Sequence, residues 1–375
     1  MQGPVLLCGA WDEGPGYPRT AALRAALASS GIAFAECRAA AMGQGKQGLL
    51  RAPWRWPLWW LADRWRRRRF RSRLRQAIAA VRPRVLVVPY PGHLYVRDVR
   101  RLAQVPVVLD LFLSAYDTAV EDRRLFAAAS LPARLLRWLD RRACAAADLV
   151  LLDTPEHAAH TALLTGLPVD RFDWLPVSDP EAPMVPAPYP EGDGALRLLF
   201  FGTGVPLHGL RTLLLAVAQV ETVVLTLVGG TASDRAYAGE LLGRRLLLQP
   251  EFVDRARLQQ LLDHSELVAG VFGTSDKVAR VVPFKVMHAL AAGRPVLTAD
   301  TPAMRRIAEP ADGVFYVPAG DVAATAAVLA ALAGDRARLR KAAGRARPVY
   351  DRHFAVARAG ERLVAMLGQL QEHHP

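Results

Sequence analysis

One pattern dominates the chain. Short runs of valine and leucine, unbroken by polar alternation, are separated by stretches of helical spacing. The runs are "PVLLCGA" (4–10), "RVLVVPY" (84–90), "VPVVLDLF" (105–112) and "DLVLLDT" (148–154), followed by "LRLLFFG" (196–202), "VVLTLVGG" (223–230), "LVAGVFG" (267–273) and "RPVLTAD" (294–300). A strand hidden on both faces has no polar side, so continuous apolar runs indicate parallel strands covered by helices above and below. Helical spacing over 133–147, 209–219, 255–265, 284–292 and 321–343 supplies the covers. The alternation predicts right-handed crossovers and an α/β fold of open parallel sheets. Between the two sets of runs, "LPVSDPEAPMVPAPYPEGDG" (175–194) holds six prolines and two glycines without an apolar period. That is the chemistry of a linker. A chain of 375 residues exceeds one ordinary core. The expected division is therefore a domain over 1–177, a linker over 178–195, a domain over 196–349 and a C-terminal helix over 350–375 packing back toward the first domain.

Composition narrows the function classes. A hydrophobic fraction of 52% excludes general disorder. Cys8, Cys37 and Cys144 are three in number and far apart, with no CxxC pair, so a reducing cytoplasm is expected. The opening "MQGPVLLCGAWDEGPGYPRT" has no basic n-region and reads as a strand and turn rather than a signal peptide. No run of eighteen apolar residues occurs. A formal charge of +13 favours polyanionic partners: nucleic acid, anionic lipid or phosphorylated ligands.

Much of that charge lies in "RAPWRWPLWWLADRWRRRRFRSRLRQ" (51–76), with ten arginines, one acid and five of the eight tryptophans. Pro57 can begin a helix. Leu58, Leu61 and Trp65 then share a face, and Phe70, Leu74 and Ile78 continue it toward the first sheet. Trp54, Trp56, Trp59, Trp60 and Trp65, with Arg66, Arg67, Arg68 and Arg69, have the composition of an interfacial membrane segment. Each arginine near an anionic leaflet contributes about 1 kcal/mol. A solvated basic helix is the plain alternative. Nucleic acid is disfavoured because no recognised binding module surrounds the segment.

The second half carries the clearer chemistry. In "LLFFGTGVPLHGLRTLL" (198–214) a buried strand ends at Gly202 and Gly209 opens a helix. Gly202, Gly204 and Gly209 leave room for a ligand against bare backbone, and a helix start attracts phosphate. His208 is placed to donate to a phosphate oxygen. In "GVFGTSDKVARVVPFKVMHALAAGRPVLTAD" (270–300) the loop bears Lys277 and Arg280, Pro283 starts a helix, and Lys285 lies in its first turn. A lysine there opposes the helix dipole, a cost that a bound anion offsets.

These segments, in this order over 196–345, resemble the nucleotide-sugar-binding domain of glycosyltransferase family 4, whose fold is the two-domain GT-B. "FFGTGVPLHGLRTLLLAV" is similar to that family's strand–loop–helix "G…xxKG…LLxA", and "VVPFKVMHALAAGRPVLTAD" to its "EAxAxGxPVxxxD". The resemblance implies two Rossmann-like domains facing across a cleft. It also implies a nucleotide-diphosphate sugar as donor, and transfer to an acceptor hydroxyl with retention. No organic cofactor is implied. Metal is not expected, since the chain has no DxD motif. Phe252 and Val253 fall where the family contacts the base. The departures are Thr203 for the usual arginine, His208 for the usual lysine, and Arg280 and His288 for the paired glutamates. Arg280, Lys285 and His208 are accordingly expected to take over the diphosphate, and His288 to touch the ribose.

In the first half, Gly14 and Gly16 of "WDEGPGYPRT" (11–20) allow close approach to a sugar or phosphate. Asp110, Ser114, Tyr116 and Asp117 follow a buried strand at the edge where ligands bind. Asp110 is the candidate catalytic group, and capping is the alternative for Ser114 and Asp117. A lipid-linked acceptor would join the site to the basic segment and place the protein on the inner face of the cell membrane. A GT-B epimerase and a non-catalytic membrane-associated relative of the fold remain open. A nicotinamide-dependent Rossmann enzyme is excluded by the lack of GxGxxG after the first strand.

Overall fold

The computed structural model describes residues 3–11, 18–39, 56–192, 194–310 and 312–372, with the side chains of 56–64 outside the description. The chain forms two compact units. The first comprises Met1–Tyr116, Ala128–Val177 and Val356–Pro375, and the second comprises Asp117–Ala127 and Ser178–Ala355.

In the first unit β1 (Val5–Gly9), β2 (Phe34–Arg38), β3 (Val85–Val88), β4 (Val107–Asp110), β5 (Leu149–Leu152) and β6 (Phe172–Trp174) form a sheet of order β2-β1-β3-β4-β5-β6. Every pair is parallel, with Val5 opposite Val85 and Val108 opposite Leu149. The valines and leucines of β1, β3 and β4 are buried on both faces, which explains their lack of alternation. One face packs the helix Trp56–Val81 through Phe70 and Leu74, together with Val96, Val99, Ala143 and Cys144. The other packs Leu23 and Leu27 of the helix Pro18–Ser29 against Leu363 and Leu367 of the last helix, Val356–Glu372. Those two helices approach closely at Gly360, where a Cβ would lie 2.3 Å from Ser30 Oγ.

In the second unit β7 (Leu196–Gly202), β8 (Val223–Gly229), β9 (Leu246–Leu248), β10 (Leu267–Ala269), β11 (Val296–Ala299) and β12 (Val314–Val317) form a parallel sheet of order β12-β11-β10-β7-β8-β9. Leu213, Leu214 and Val217 with Leu329 and Leu332 cover one face. Val286, Met287 and Leu290 with Val349 and Tyr350 cover the other. The stretch expected as a linker belongs to this unit. Tyr189 donates its hydroxyl to Glu266 O at 2.9 Å, and Arg294 donates to Ala187 O and Pro188 O at 3.2 and 3.0 Å. Proline here keeps backbone extended along a surface instead of freeing it. The helix expected over 321–343 is two helices, Val322–Gly334 and Arg336–His353, broken at Asp335, which caps the second through Arg338 N. Among the described residues, no helix is long and apolar enough to cross a membrane. The three cysteines are buried and free.

Candidate functional site

The C-terminal ends of β7, β8 and β10 meet over a set of glycines. The carbonyl of Gly202 accepts from Gly230 N at 2.8 Å, and a Cβ on Gly229 would lie 2.2 Å from that same oxygen. Gly209 has φ +58°, and a Cβ there would strike the Phe272 carbonyl carbon at 2.3 Å. The loop 203–209 can therefore lie flat on the segment leaving β10. It is held there by Phe272 N donating to His208 O at 3.0 Å and Gly273 N donating to Leu207 O at 3.1 Å.

Lys285 and His208 converge on this bare backbone. Lys285 is the second residue of the helix Phe284–Ala291 and is 4% exposed. Its Nζ lies 3.8 Å from the Phe200 ring centroid and, among the described residues, has no hydrogen-bond partner. His208 Nδ1 is likewise buried without one. A Cβ on Gly202 would stand 3.1 Å from each of these two nitrogens. The same point is 2.7 Å from His208 Cε1, so both side chains crowd the side of Gly202 that only a glycine leaves bare. Burial drives Lys285 well below the ordinary lysine range. Burial, and then the charge of Lys285, push His208 down to about 2. Two nitrogens without counter-charge, beside a glycine, form a site that an anion completes.

Gly202→Ala tests this geometry. The methyl group would meet His208 Cε1 at 2.7 Å and crowd both nitrogens, forcing the two side chains to shift, and φ +150° adds backbone strain. The expected result is a loss of donor affinity of about tenfold or more, equivalent to about 1.4 kcal/mol, read by calorimetry on protein of unchanged circular dichroism. Unchanged affinity would move the anion elsewhere.

The other candidates divide. Thr203 is exposed beside the loop, and Gly204 (φ +72°) faces Asp234 Oδ2. Phe252 is exposed and Val253 packs, partly buried, on the core of the second unit. Arg280 does not join the glycine set: it donates to Asp117 Oδ1 and Glu121 Oε2, each at 2.7 Å. Lys277 Nζ lies 2.9 Å from Asp117 Oδ2 and donates to Thr118 Oγ1 at 3.0 Å. Two acids thus neutralise the two cations, so the diphosphate role expected for Arg280 is corrected. His288 also has a protein partner. Its Nδ1 lies 3.0 Å from Asp179 Oδ2, and Arg255 Nη2 reaches the same oxygen at 2.5 Å. Burial raises the Asp179 carboxyl, but the His288 hydrogen bond and the charges of His288 and Arg255 outweigh it and hold Asp179 below the usual range. That bond occupies Nδ1 of the histidine expected to touch the ribose.

Asp110, the candidate catalytic group of the first unit, is fully buried and paired. Arg19 Nε lies 3.0 Å from both of its oxygens and Nη2 2.7 Å from Oδ1. Arg19 also donates to Leu175 O at 2.6 Å and Leu152 O at 3.3 Å, so it braces the ends of β4, β5 and β6. A carboxylate held this way is structural, not a base. Ser114 Oγ and the amides of Ala115 and Tyr116 donate to buried Asp140 at 2.7, 3.0 and 2.9 Å. Thr154 caps its helix by accepting from His157 N at 3.1 Å. Gly14, Gly16 and Trp54, and the side chains of Trp56, Trp59 and Trp60, lie outside the described residues. Trp65 is 54% exposed and turned away from the core, with the Arg69 guanidinium 3.3 Å from its ring centroid. Arg67 donates to Leu94 O at 2.5 Å and Asp98 Oδ2 at 2.9 Å, while Arg66 is half-buried and Arg68 is exposed.

Residues 195–335 match the family described as "Glycosyl transferases group 1". Solved structures share the architecture of the whole chain. The sucrose-phosphate synthase from Thermosynechococcus elongatus aligns with TM-score 0.72 at 15% identity, covering 99% of this chain and 100% of that one. Anabaena HepE, solved in complex with UDP-glucose, gives 0.68 at 16%, covering 98% and 100%. The lipopolysaccharide outer core galactosyltransferase WaaB gives 0.61 at 14%, covering 98% and 99%.

The fold is GT-B.

No curated protein matches in sequence. GT-B architecture with the group 1 match on its second half supports a nucleotide-sugar-dependent glycosyltransferase. In that frame the strand end that places Gly202, and the helix that places Lys285, both fall within the matched segment.

Proposed function

We propose that this chain is a family 4-like enzyme that moves a sugar from a nucleotide-diphosphate sugar to a hydroxyl of a lipid-linked or membrane-surface glycan, with retention and without a metal. The observation that carries the donor reading is the pair of buried, unpartnered nitrogens of Lys285 and His208 at Gly202. HepE is solved with UDP-glucose, which favours UDP among donors. On binding, the phosphate favours the protonated form of Lys285, which faces the departing diphosphate, whose charge grows as the sugar leaves. Neutral His208 donates from Nδ1 without adding charge. The arginines at 66–69 hold the enzyme to the cytoplasmic face of the cell membrane, and the first unit takes the acceptor.

Donor binding is therefore coupled to a proton. In the free protein Lys285 is held low by burial, and an adjacent phosphate raises it. Calorimetry of UDP in buffers of different ionisation enthalpy should show net proton uptake. Affinity should fall as pH rises from the free-state lysine value toward the bound-state one. Transfer should persist in excess chelator. Absence of UDP binding at millimolar concentration would refute the donor reading, and loss of transfer in chelator would refute metal independence.

A further inference from the structure

The helix Leu131–Cys144 of the first unit turns an apolar side away from its own core. At about 100° per residue, Ala133, Asp140, Ala143 and Cys144 share one side, and all four are buried. Leu131, Leu135 and Trp138 fall within an arc of about 60° on the opposite side, where they are 77%, 59% and 48% exposed. A surface helix ordinarily points its polar side there. Arg142 falls within the stripe and Arg134, Arg141 and Arg137 follow one another along one side of it, while the one acid of the helix, Asp140, is buried. The Arg142 guanidinium lies over the Trp138 ring, 4.5 Å from its centroid.

The surroundings extend this surface. The helix contributes Ala143 and Cys144 to the same sheet face as Phe70 and Leu74 of the helix Trp56–Val81. Exposed Arg97 lies within electrostatic reach of Arg142, Arg101 and Arg67, with the one acid Asp98 among them paired to Arg67 and Arg101, so the surface between the two helices is net positive.

We infer that the Leu131–Leu135–Trp138 stripe is a membrane-docking surface that inserts among the headgroups of an anionic bilayer. The inference rests on the membrane-surface reading proposed above and assigns the insertion to an element outside the basic segment 51–76. Charge complementarity selects the occupant. A second copy of the chain would set arginine against arginine around an apolar contact, whereas an anionic leaflet answers both the apolar ridge and its cationic rim. An aromatic ring stacked beneath a guanidinium suits the boundary between headgroup and acyl chain.

The test is flotation of the full chain with vesicles of phosphatidylglycerol and phosphatidylcholine, and with phosphatidylcholine alone. Wild type should float with the anionic vesicles only. The triple variant Leu131→Gln, Leu135→Gln, Trp138→Gln should lose binding by at least about tenfold. It should keep its melting temperature and its UDP affinity, because all three side chains are exposed. Leu135→Ser alone should show a smaller loss and serves if the triple variant misfolds. Flotation of the triple variant at the wild-type level would overturn the inference. So would an oligomer that the variant converts to monomer without any change in flotation. If replacing Arg66, Arg67, Arg68 and Arg69 with serine releases the protein while the triple variant still floats, the segment at 66–69 docks alone and this inference falls by itself. If wild type never floats, both readings fall.

Discussion

Replacing Lys285 with methionine is expected to abolish most sugar transfer while making the ligand-free protein more stable. The two effects have one cause. Among the described residues Lys285, buried beside Phe200, has no hydrogen-bond partner, so the folded state carries the cost of a desolvated amine that a bound anion would satisfy. Removing a desolvated, unpartnered polar group gains about 1–3 kcal/mol. Removing a cation aimed at a developing oxyanion costs on the order of 2–4 kcal/mol in the transition state, or roughly 30- to 1,000-fold in rate. The sign of the pH dependence follows. The folded-state lysine value lies below the unfolded one, so this group's contribution to stability is full above about pH 10.4 and is lost as pH falls through the folded value. The stability gain of Lys285→Met should therefore widen from high pH downward and level off below the folded value. Thermal melts across pH, with and without UDP, measure both arms. A variant that transfers sugar like wild type would remove Lys285 from the site. A variant that melts lower would mean that its amine is satisfied in the free protein.

The second large effect concerns Asp110→Ala. Breaking a buried ion pair from one side leaves the other charge stranded, at a cost of about 3–5 kcal/mol. Arg19 would keep its bonds to Leu152 O and Leu175 O but lose its counter-charge. Denaturant melts should show a large drop for Asp110→Ala and a smaller one for the double variant Asp110→Ala, Arg19→Met. A general base would behave otherwise: Asp110→Asn would keep stability and lose turnover. If the asparagine variant is stable and inactive, the structural assignment of Asp110 is wrong.

How far the sequence could be read depends on where each residue's partner lies along the chain. The eight apolar runs all became central strands, because a strand paired on both sides and covered on both faces must be continuously apolar. The four strands not recognised, β2, β6, β9 and β12, are the edges of the two sheets. β2 carries Glu36 and Arg38, β6 carries Asp173, and β9 is three partly exposed leucines, so local pattern gave no such signal in these three, whereas β12, Val314–Val317, is apolar and largely buried and its pattern did offer one. The meeting of the glycine loop, His208 and Lys285 was foreshadowed by their places at a strand end and a helix start. Arg280 was misread for the opposite reason: its neutralising acids, Asp117 and Glu121, lie about 160 residues earlier in the chain. Asp110 looked reactive because nothing in its neighbourhood announced Arg19, 91 residues away. The outward stripe of the helix Leu131–Cys144 is present in the spacing. It becomes meaningful only once burial shows which side faces the core.

The return of the last helix to the first unit has a consequence for synthesis. Leu363 and Leu367 complete the face of that sheet that also holds Val5, Leu7, Leu23 and Leu27. Arg362 donates to Trp174 O at 2.6 Å, tying the helix to the last strand of the sheet. The unit that leaves the ribosome first therefore cannot close its core until the final segment of the chain has been made. The second unit, whose latest segment ends at Ala355, has all its parts earlier. A nascent chain halted before residue 356 would carry one finished domain and one with an apolar flank open to chaperones. Removing residues 356–372 would act on the fold of the N-terminal half.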